Sequence, residues 1–204
     1  MNQKQKSDLV RTIQLNWVGP YPLFDSSGKS VFDQKEIEES GIYLFTVAYE
    51  NGYLVDYVGE TGQSFRQRLT EHVRGYLGGE YRIYEASSYT ESDNKLIWGG
   101  TWLRDRRDRM GEFIARYDEL APRISEYIKL FQIFLCPTKL EHRLRQRVES
   151  AVALSLYEQP GLIGSFQGPE TRISYRPKRD DEISIKVKMQ MPAKILGLTP
   201  ELDV

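Results

Sequence analysis

The stretch Gly41–His72, GIYLFTVAYENGYLVDYVGETGQSFRQRLTEH, decides how the rest of the chain is interpreted. It contains two runs rich in β-branched and aromatic residues, Ile42–Tyr49 and Tyr53–Val58, which are separated by Glu-Asn-Gly at positions 50–52. An Asn-Gly pair between such runs is the strongest short-range signal for a β-hairpin. We therefore predict an antiparallel hairpin here.

The length of the hairpin loop decides whether Tyr43 and Tyr57 share a face of the sheet. A two-residue Asn-Gly loop would place them on opposite faces. A three-residue loop over positions 50–52 places Tyr43 opposite Gly59 and makes Tyr57 its diagonal neighbour, about 7–8 Å away. We predict the longer loop, because Gly52 readily adopts the left-handed backbone conformation that such a bulged loop requires.

A helix is predicted directly after the hairpin. Ser64 and Gln67 form a capping box, and apolar residues recur behind them at helical spacing. Glycines from Gly75 onward are expected to end the helix. Arg68 and His72 are four residues apart, so they lie one above the other on a flank of the buried stripe. Two phenols on a sheet and an Arg/His pair on the next helix can therefore converge on one patch.

These residues resemble the signature of the GIY-YIG nuclease family. The matching segments are Gly41-Ile42-Tyr43, Tyr57-Val58-Gly59, and Arg68-Leu69 with His72. The resemblance implies an α/β fold of the α+β type, with a small three-stranded antiparallel sheet flanked by helices. It covers a core of about residues 40–165 and leaves unmatched the helical insert at 78–130, the N-terminal end and the C-terminal extension 166–204. We expect residues 1–204 to form one domain.

The resemblance also implies an activity. Members of the family cut DNA phosphodiester bonds with one divalent metal ion, usually Mg²⁺, which is held by a glutamate on a later helix. It implies catalytic roles for Tyr43, Tyr57, Arg68, His72 and Glu149, with Glu149 as the ligand of Mg²⁺ or Mn²⁺ and double-stranded DNA as the partner. Water would be the nucleophile, and either Tyr43 or His72 would be the general base.

The rest of the core is predicted from patterns further along the chain. Residues 131–136, a strongly apolar run before Pro137, predict a third buried strand. Thr138 and Glu141 form a second capping box, which predicts a helix to about residue 158. Alternation of apolar and polar residues from 183 to 190 predicts a half-buried strand near the C-terminus.

Glu149 lies at the edge of the buried face of this later helix, one turn from Arg145. The residue pattern alone favours an ion pair between the two side chains. The order of hairpin, helix, strand and helix matches the family, and the resemblance therefore favours a metal ligand instead. Basic residues also give this helix a local positive field. They are Lys139, His142, Arg143, Arg145 and Arg147.

Three features depart from the family pattern. The gap between the two tyrosine motifs is 13 residues, which is slightly longer than usual. Glu60-Thr61 follow the second motif where the family often has lysine. An asparagine that lines many family sites is missing, because Gly161 stands at that position with Gln159 and Gln167 as the nearest amides.

Composition limits the classes of partner. The chain has 204 residues and a net charge of −1, so it has no global basic footprint and any DNA-binding surface must be local. Its one cysteine, Cys136, lies in an apolar run, which favours an inert core thiol in a reducing compartment. We see no signal peptide and no apolar run of membrane-spanning length, so we expect a cytoplasmic protein that does not bind membranes.

The insert contains two unusual segments. Trp98 and Trp102 flank a Gly-Gly pair, which indicates either a tight turn that covers the core or a platform for stacking a base. The mixed-charge run Arg104–Arg109 is typical of a solvated helix start, although it could present arginines to phosphates. Helices are expected over Met110–Leu120 and again from Pro122.

Three hypotheses follow for the function. The first is a metal-dependent endonuclease acting on DNA. The second is a nucleic-acid-binding module that retains the fold but cuts poorly, and the third is a structural domain. The nuclease hypothesis requires the five predicted site residues to meet at one place.

Overall fold

The computed structural model describes residues 10–91, 94–101, 108–166 and 176–204. Its central sheet has four antiparallel strands in the order β2-β7-β3-β4. These are β2 (Val18–Pro22), β3 (Gly41–Tyr49), β4 (Gly52–Thr61) and β7 (Phe131–Pro137). The predicted α+β class is confirmed, but the sheet is wider than the three strands expected, because β2 pairs with the outer edge of β7.

Smaller sheets and helices complete the described part of the chain. A second sheet has the order β1-β8-β9 and brings together β1 (Val10–Asn16), β8 (Ser184–Gln190) and β9 (Glu201–Asp203). A two-stranded sheet joins β5 (Ile83–Tyr84) and β6 (Leu96–Trp98). The α-helices are α1 (Phe65–Leu77), α2 (Met110–Ala115), α3 (Tyr117–Ile128), α4 (His142–Tyr157) and α5 (Leu162–Phe166). None of the helices described has the length and apolar character needed to cross a bilayer.

The loop of the β3–β4 hairpin is shorter than predicted. It contains two residues, Glu50 and Asn51, so that Tyr49 pairs with Gly52. Glu50, rather than Gly52, has the positive backbone angle, with φ of 48°. The predicted three-residue loop is therefore wrong.

A β-bulge further along the hairpin restores the predicted pairing of Tyr43 with Gly59. Phe45 pairs with Tyr57 and the next residue of β3 pairs with Val55, which leaves Asp56 as the extra residue of β4. The bulge shifts the register by one position, as the longer loop would have done. Tyr43 and Tyr57 consequently share a face, although the loop is not the reason.

Two apolar clusters pack on opposite faces of the central sheet. Tyr43 and Phe45 point into one cluster, where α1 contributes Phe65 and Leu69. Ile42 and Leu44, which alternate with them, point into the other cluster, where α4 contributes its buried face. The two helices predicted to carry site residues therefore pack against different faces of the sheet.

The start of α1 agrees with the sequence, and so does its end at Gly78, which is the C-cap residue. The inclusion of Gly75 among the residues that end α1 and the predicted start of α4 are wrong. The Ser64 hydroxyl accepts a hydrogen bond from the backbone N–H of Gln67 at 3.2 Å. Gly75 lies inside α1, where a Cβ would come within 2.5 Å of the Tyr81 ring. Thr138 does not cap α4, whose N-cap residue is Glu141. The backbone N–H of Thr138 donates to the Ser40 carbonyl instead.

The insert is only partly helical. The helix expected over Met110–Leu120 is interrupted at Arg116, which ends α2 and precedes α3, and Pro122 lies inside α3. Trp98 is buried in the core, and its indole N–H donates to the Gly79 carbonyl at 2.8 Å. Trp98 therefore covers the core, as one of the two alternatives predicted. Trp102 and Arg104–Arg107 lie outside the described residues.

Gly59→Ala should destabilise the fold by about 1–3 kcal/mol, because overpacking a buried site forces shifts in its neighbours. A Cβ at Gly59 would lie 2.6 Å from the Tyr57 ring and closer still to the Tyr43 ring. Gly111→Ala in α2 is the matched control, since no atom lies within 4 Å of the added methyl group. Urea denaturation of both variants measures the effect, and a Gly59→Ala protein as stable as the wild type would contradict it.

Candidate active site

The two phenols of the predicted signature lie side by side on the face of the sheet that α1 covers. The ring centroids of Tyr43 and Tyr57 are 6.0 Å apart. Both rings pack against the backbone of Gly59, which has no side chain to fill the space. Tyr43 is completely buried, whereas Tyr57 is half-buried and borders an open cleft.

Arg68 and His72 of α1 both reach the hydroxyl of Tyr43. The Arg68 Nε–H donates to the Tyr43 oxygen at 3.1 Å, and His72 Nε2 lies 2.9 Å from the same oxygen. A second guanidinium nitrogen of Arg68 pairs with Glu71 at 2.9 Å. His72 lies on the buried face of α1 and not on its flank as predicted.

Protonation states fix the direction of these hydrogen bonds. Burial raises the pKa of Tyr43 well above its ordinary value, so the phenol keeps its proton. Burial and the neighbouring Arg68 lower the pKa of His72 to about 3, so the imidazole is neutral near pH 7. Because Arg68 can only donate, the Tyr43 O–H is free to donate to His72 Nε2. The three side chains form a chain of donors that runs from Arg68 through Tyr43 to His72.

Glu149 reaches the same region from α4, on the opposite side of the sheet. Strand β4 is an edge strand, and the backbone N–H of Glu60 points outward from it and donates to Glu149 Oε1 at 3.0 Å. Burial, followed by the charge of Glu60, raises the pKa of Glu149 to about 7. The carboxylate is thus fixed at the edge of the sheet by a main-chain donor.

Arg145 does not form the ion pair with Glu149 that the residue pattern alone favoured. Its Nε donates to Glu60 Oε2 at 2.8 Å. His142 Nε2 lies 3.4 Å from the other oxygen of Glu60. Glu60 therefore has two basic neighbours on α4, and the Glu149 carboxylate is left to its main-chain donor.

The Glu149 carboxylate lies close to the signature residues, because its donor, Glu60, directly follows Gly59, against which both tyrosine rings pack. Burial raises the pKa of Tyr57 above its ordinary value. The positive charge of Arg68 lowers this pKa, and the negative charge of Glu149 raises it further. Arg68 in turn lowers the pKa of Glu149, although burial and Glu60 outweigh it. The structure therefore brings Tyr43, Arg68 and His72 into direct contact, with Tyr57 beside them and Glu149 within range of their charges.

A cleft of about 450 Å³ opens beside this cluster. Tyr57, Arg68 and His72 line it, together with side chains from the insert. Sequence reasoning missed the cleft, and it also missed Glu71 and Asp56, which line it as well. An i, i+3 pairing signal on α1 could have found Glu71, whereas the bulge at Asp56 has no local signature.

Two carboxylates lie at the edge of β4, and that of Glu60 is already held by Arg145 and His142. Glu149 has a second oxygen besides the one bonded to Glu60, and Glu60 supplies a carboxylate nearby. Within the described residues, no cluster of three or more His, Cys, Asp or Glu side chains has the arrangement of a metal site. The amide of Gln159, considered as a substitute for the missing asparagine, donates to the Ser155 carbonyl, and Gln167 lies outside the described residues.

Comparisons of the chain with protein-family models, with curated proteins and with solved structures found no match.

Acid should destabilise the fold through His72. The unfolded imidazole has a pKa of about 6.5, against about 3 in the folded protein, so the unfolded state binds the extra proton between these values. Stability from this group is present above about pH 6.5 and is lost as the pH falls towards 3. Between pH 7 and pH 5 the loss should be about 2 kcal/mol.

His72→Gln removes the titrating group and serves as the comparison. Urea denaturation at pH 7 and pH 5 should show a smaller loss of stability in the variant than in the wild type. Other titrating groups affect both proteins alike and cancel in this difference. Equal losses in the two proteins would show that His72 is not buried in its neutral form.

Proposed function

We propose that the protein is a metal-dependent endonuclease that hydrolyses DNA phosphodiester bonds, as the GIY-YIG nucleases that its sequence resembles do. The observation that carries the proposal is the placement of the Tyr43 hydroxyl between Arg68 and His72, with a partly buried carboxylate, Glu149, within electrostatic range. A cation, a proton-accepting chain and an acidic ligand are the groups that phosphodiester hydrolysis needs at one place.

Arg68 has the position and chemistry to bind the scissile phosphate. Its side chain is 32% exposed and lines the cleft, while Glu71 and Tyr43 hold the guanidinium in place. A guanidinium is planar and permanently charged, and its geometry matches phosphate oxygens. On binding DNA, Arg68 would exchange its bond to the phenol for a phosphate oxygen.

The general base in this proposal is Tyr43 acting together with His72. A water molecule gives its proton to the Tyr43 oxygen while the phenolic proton passes to His72 Nε2. Neutral imidazole can accept that proton, and the negative charge of a bound phosphate would raise the pKa of His72 from its low value. Because Tyr43 is fully buried, the step requires Arg68 to move away from the phenol first. Tyr57, which faces the cleft, would orient the water or the phosphate.

Glu149 is the residue that would hold Mg²⁺ or Mn²⁺. Magnesium is commonly bound through one or two carboxylates, keeps several waters and takes substrate phosphate oxygens, so a site with a single fixed carboxylate fits it. The raised pKa of Glu149, about 7, reflects a buried negative charge that a cation would stabilise. When bound, the metal would neutralise charge that develops on the phosphate and the leaving oxygen.

A nucleic-acid-binding module that does not cut DNA is the second candidate. The observation in its favour is the complete burial of Tyr43, whose hydroxyl is already engaged by Arg68 and His72. The two candidates differ in outcome. The binding module would retard DNA on a gel in a salt-dependent manner and yet leave plasmid intact with either metal.

Purified protein should nick or cut plasmid DNA in Mg²⁺ or Mn²⁺ and not in EDTA. Glu149→Gln should abolish cutting, and Arg68→Ala should reduce the rate by about 10²–10³-fold, as expected for loss of a donor to the transition state. Arg66→Ala is the matched control, because Arg66 lies on the same helix but pairs with Glu38. Cutting that survives in Glu149→Gln at the wild-type rate would rule out the proposed metal site.

Tyr43→Phe should reduce the rate of cutting by about 10²-fold, the lower range for removal of a general base, while DNA binding is retained. Tyr49→Phe on the same strand is the control, since this residue lies beside the hairpin loop, at the far end of β3. Rates under single-turnover conditions, with binding measured separately in Ca²⁺, separate the two effects. Unchanged cutting by Tyr43→Phe would assign the base to another group.

A further inference from the structure

The three arginines of α4 all have carboxylate partners. Arg145 pairs with Glu60 at 2.8 Å, and Arg143 pairs with Glu182 at 2.8 Å. Arg147 lies 3.6 Å from the other oxygen of Glu182. Much of the positive charge of this helix is therefore balanced within the chain, and a DNA backbone that passes the proposed metal ligand needs other cations.

Arg176 is fixed beside the proposed metal ligand by its main chain. Its backbone N–H donates to Ser150 Oγ at 3.1 Å, and the buried Ser150 directly follows Glu149 on α4. The carbonyl of the next residue, Pro177, accepts a hydrogen bond from Arg143 at 2.7 Å. Helix α4 therefore holds the main chain at Arg176 and at the residue after it.

The Arg176 side chain has no partner of its own among the described residues. It is half-buried, and its guanidinium forms neither an ion pair nor a hydrogen bond with any part of the chain that the structure describes. Arg176 and Lys178 line a cavity of about 530 Å³ beside α4. Glu158 and Asp203 line it as well, but neither forms an ion pair with Arg176. A half-buried charge in this state would be stabilised by a ligand of opposite charge.

Positive charges act on Glu149 from both faces of the central sheet. Burial, followed by the charge of Glu60, raises the pKa of Glu149 to about 7. The backbone N–H of Glu60, then the charge of Arg176 and then that of Arg68 lower this pKa. Arg68 belongs to α1, which packs on one face, whereas Arg176 is anchored to α4, which packs on the other.

We propose that Arg176 binds a backbone phosphate of the DNA next to the scissile phosphate, on the α4 side of Glu149. The chain has a net charge of −1, and the carboxylates of Glu60 and Glu149 at the edge of β4 repel DNA, so a local cation is needed there. A guanidinium donates two parallel N–H bonds to phosphate oxygens. Because the main chain at Arg176 is already fixed, less freedom is lost on binding than from a free tail. The choice of DNA as the ligand and the position of this phosphate rest on the proposed function.

Binding of a short DNA duplex in EDTA, measured by fluorescence anisotropy over a range of KCl concentrations, tests the inference. In Arg176→Ala, the slope of log K against log[KCl] should be smaller in magnitude by about 0.9, the contribution of one phosphate contact. At 0.1 M KCl the affinity should fall by about 5- to 10-fold. Arg176→Lys retains the positive charge and should keep the wild-type slope. Both variants retain the main-chain bond to Ser150, so the segment stays anchored.

Arg66→Ala is the matched control and should keep the wild-type slope, because Arg66 pairs with Glu38. A wild-type slope in Arg176→Ala, an equal reduction in Arg66→Ala, a reduction in Arg176→Lys as large as in Arg176→Ala, or no DNA binding by the wild type would overturn the inference. Binding with the expected slopes but without cutting in Mg²⁺ or Mn²⁺ would contradict the nuclease proposal and support the role of Arg176.

Discussion

The extra residue at Asp56 is the constraint on which the site depends. Without it, the two-residue loop would keep one register along the whole hairpin and Tyr43 would not face Gly59. That glycine is needed opposite the phenols, because a Cβ there would strike both rings. One inserted residue thus brings Tyr43 and Tyr57 to the face that α1 covers and also turns a carboxylate into the cleft. Because side chains alternate between the two faces of a sheet, a further one-residue shift in the pairing of β3 with β4 would place Tyr43 and Tyr57 on opposite faces.

Burial then sets the chemistry of the groups that the bulge brings together. The low dielectric around Tyr43 and His72 keeps both neutral, so a permanently charged Arg68 can lie against them without a compensating charge on either. The charge of Arg68 is balanced instead by Glu71 at the surface. The phenol is engaged in the resting arrangement, and in the proposed nuclease a substrate phosphate would compete with it for the guanidinium. Because Tyr43 is buried and bonded to Arg68, its hydroxyl can act in the proposed hydrolysis only after Arg68 has moved.

Local patterns in the sequence were enough to predict several of the elements, but they did not predict the long-range contacts. The hairpin strands, the Ser64 cap, the strand before Pro137 and the length of α4 all follow from spacing within a few residues. The pairing of Tyr43 with Gly59 was predicted for the wrong reason, since a loop and a bulge give the same register in the second half of a hairpin. The pair formed by Glu60 and Arg145 joins residues 85 positions apart, and the pattern on α4 alone pointed to Glu149 as the partner of Arg145. Which side chain meets which across a sheet edge depends on tertiary geometry that no local window contains.

The edge position of β4 explains how a helix on the far side of the sheet can contribute to the site. An interior strand has its N–H groups paired on both sides. The outer edge of β4 bonds to residues 194–196 at Tyr53, near the hairpin loop, and at the other end of the strand the outward N–H of Glu60 is available to Glu149. The Glu149 carboxylate lies at the edge of the sheet and accepts a hydrogen bond from the main chain there. An isolated buried charge would lack such a donor. Since Arg145 and His142 hold the side chain of Glu60 from the same helix, the edge is fixed at two places. The Glu149 carboxylate is therefore fixed beside the face of the sheet that carries Tyr57, although α4 packs on the opposite face. A strand added outside β4 would take the Glu60 N–H that holds Glu149 in place.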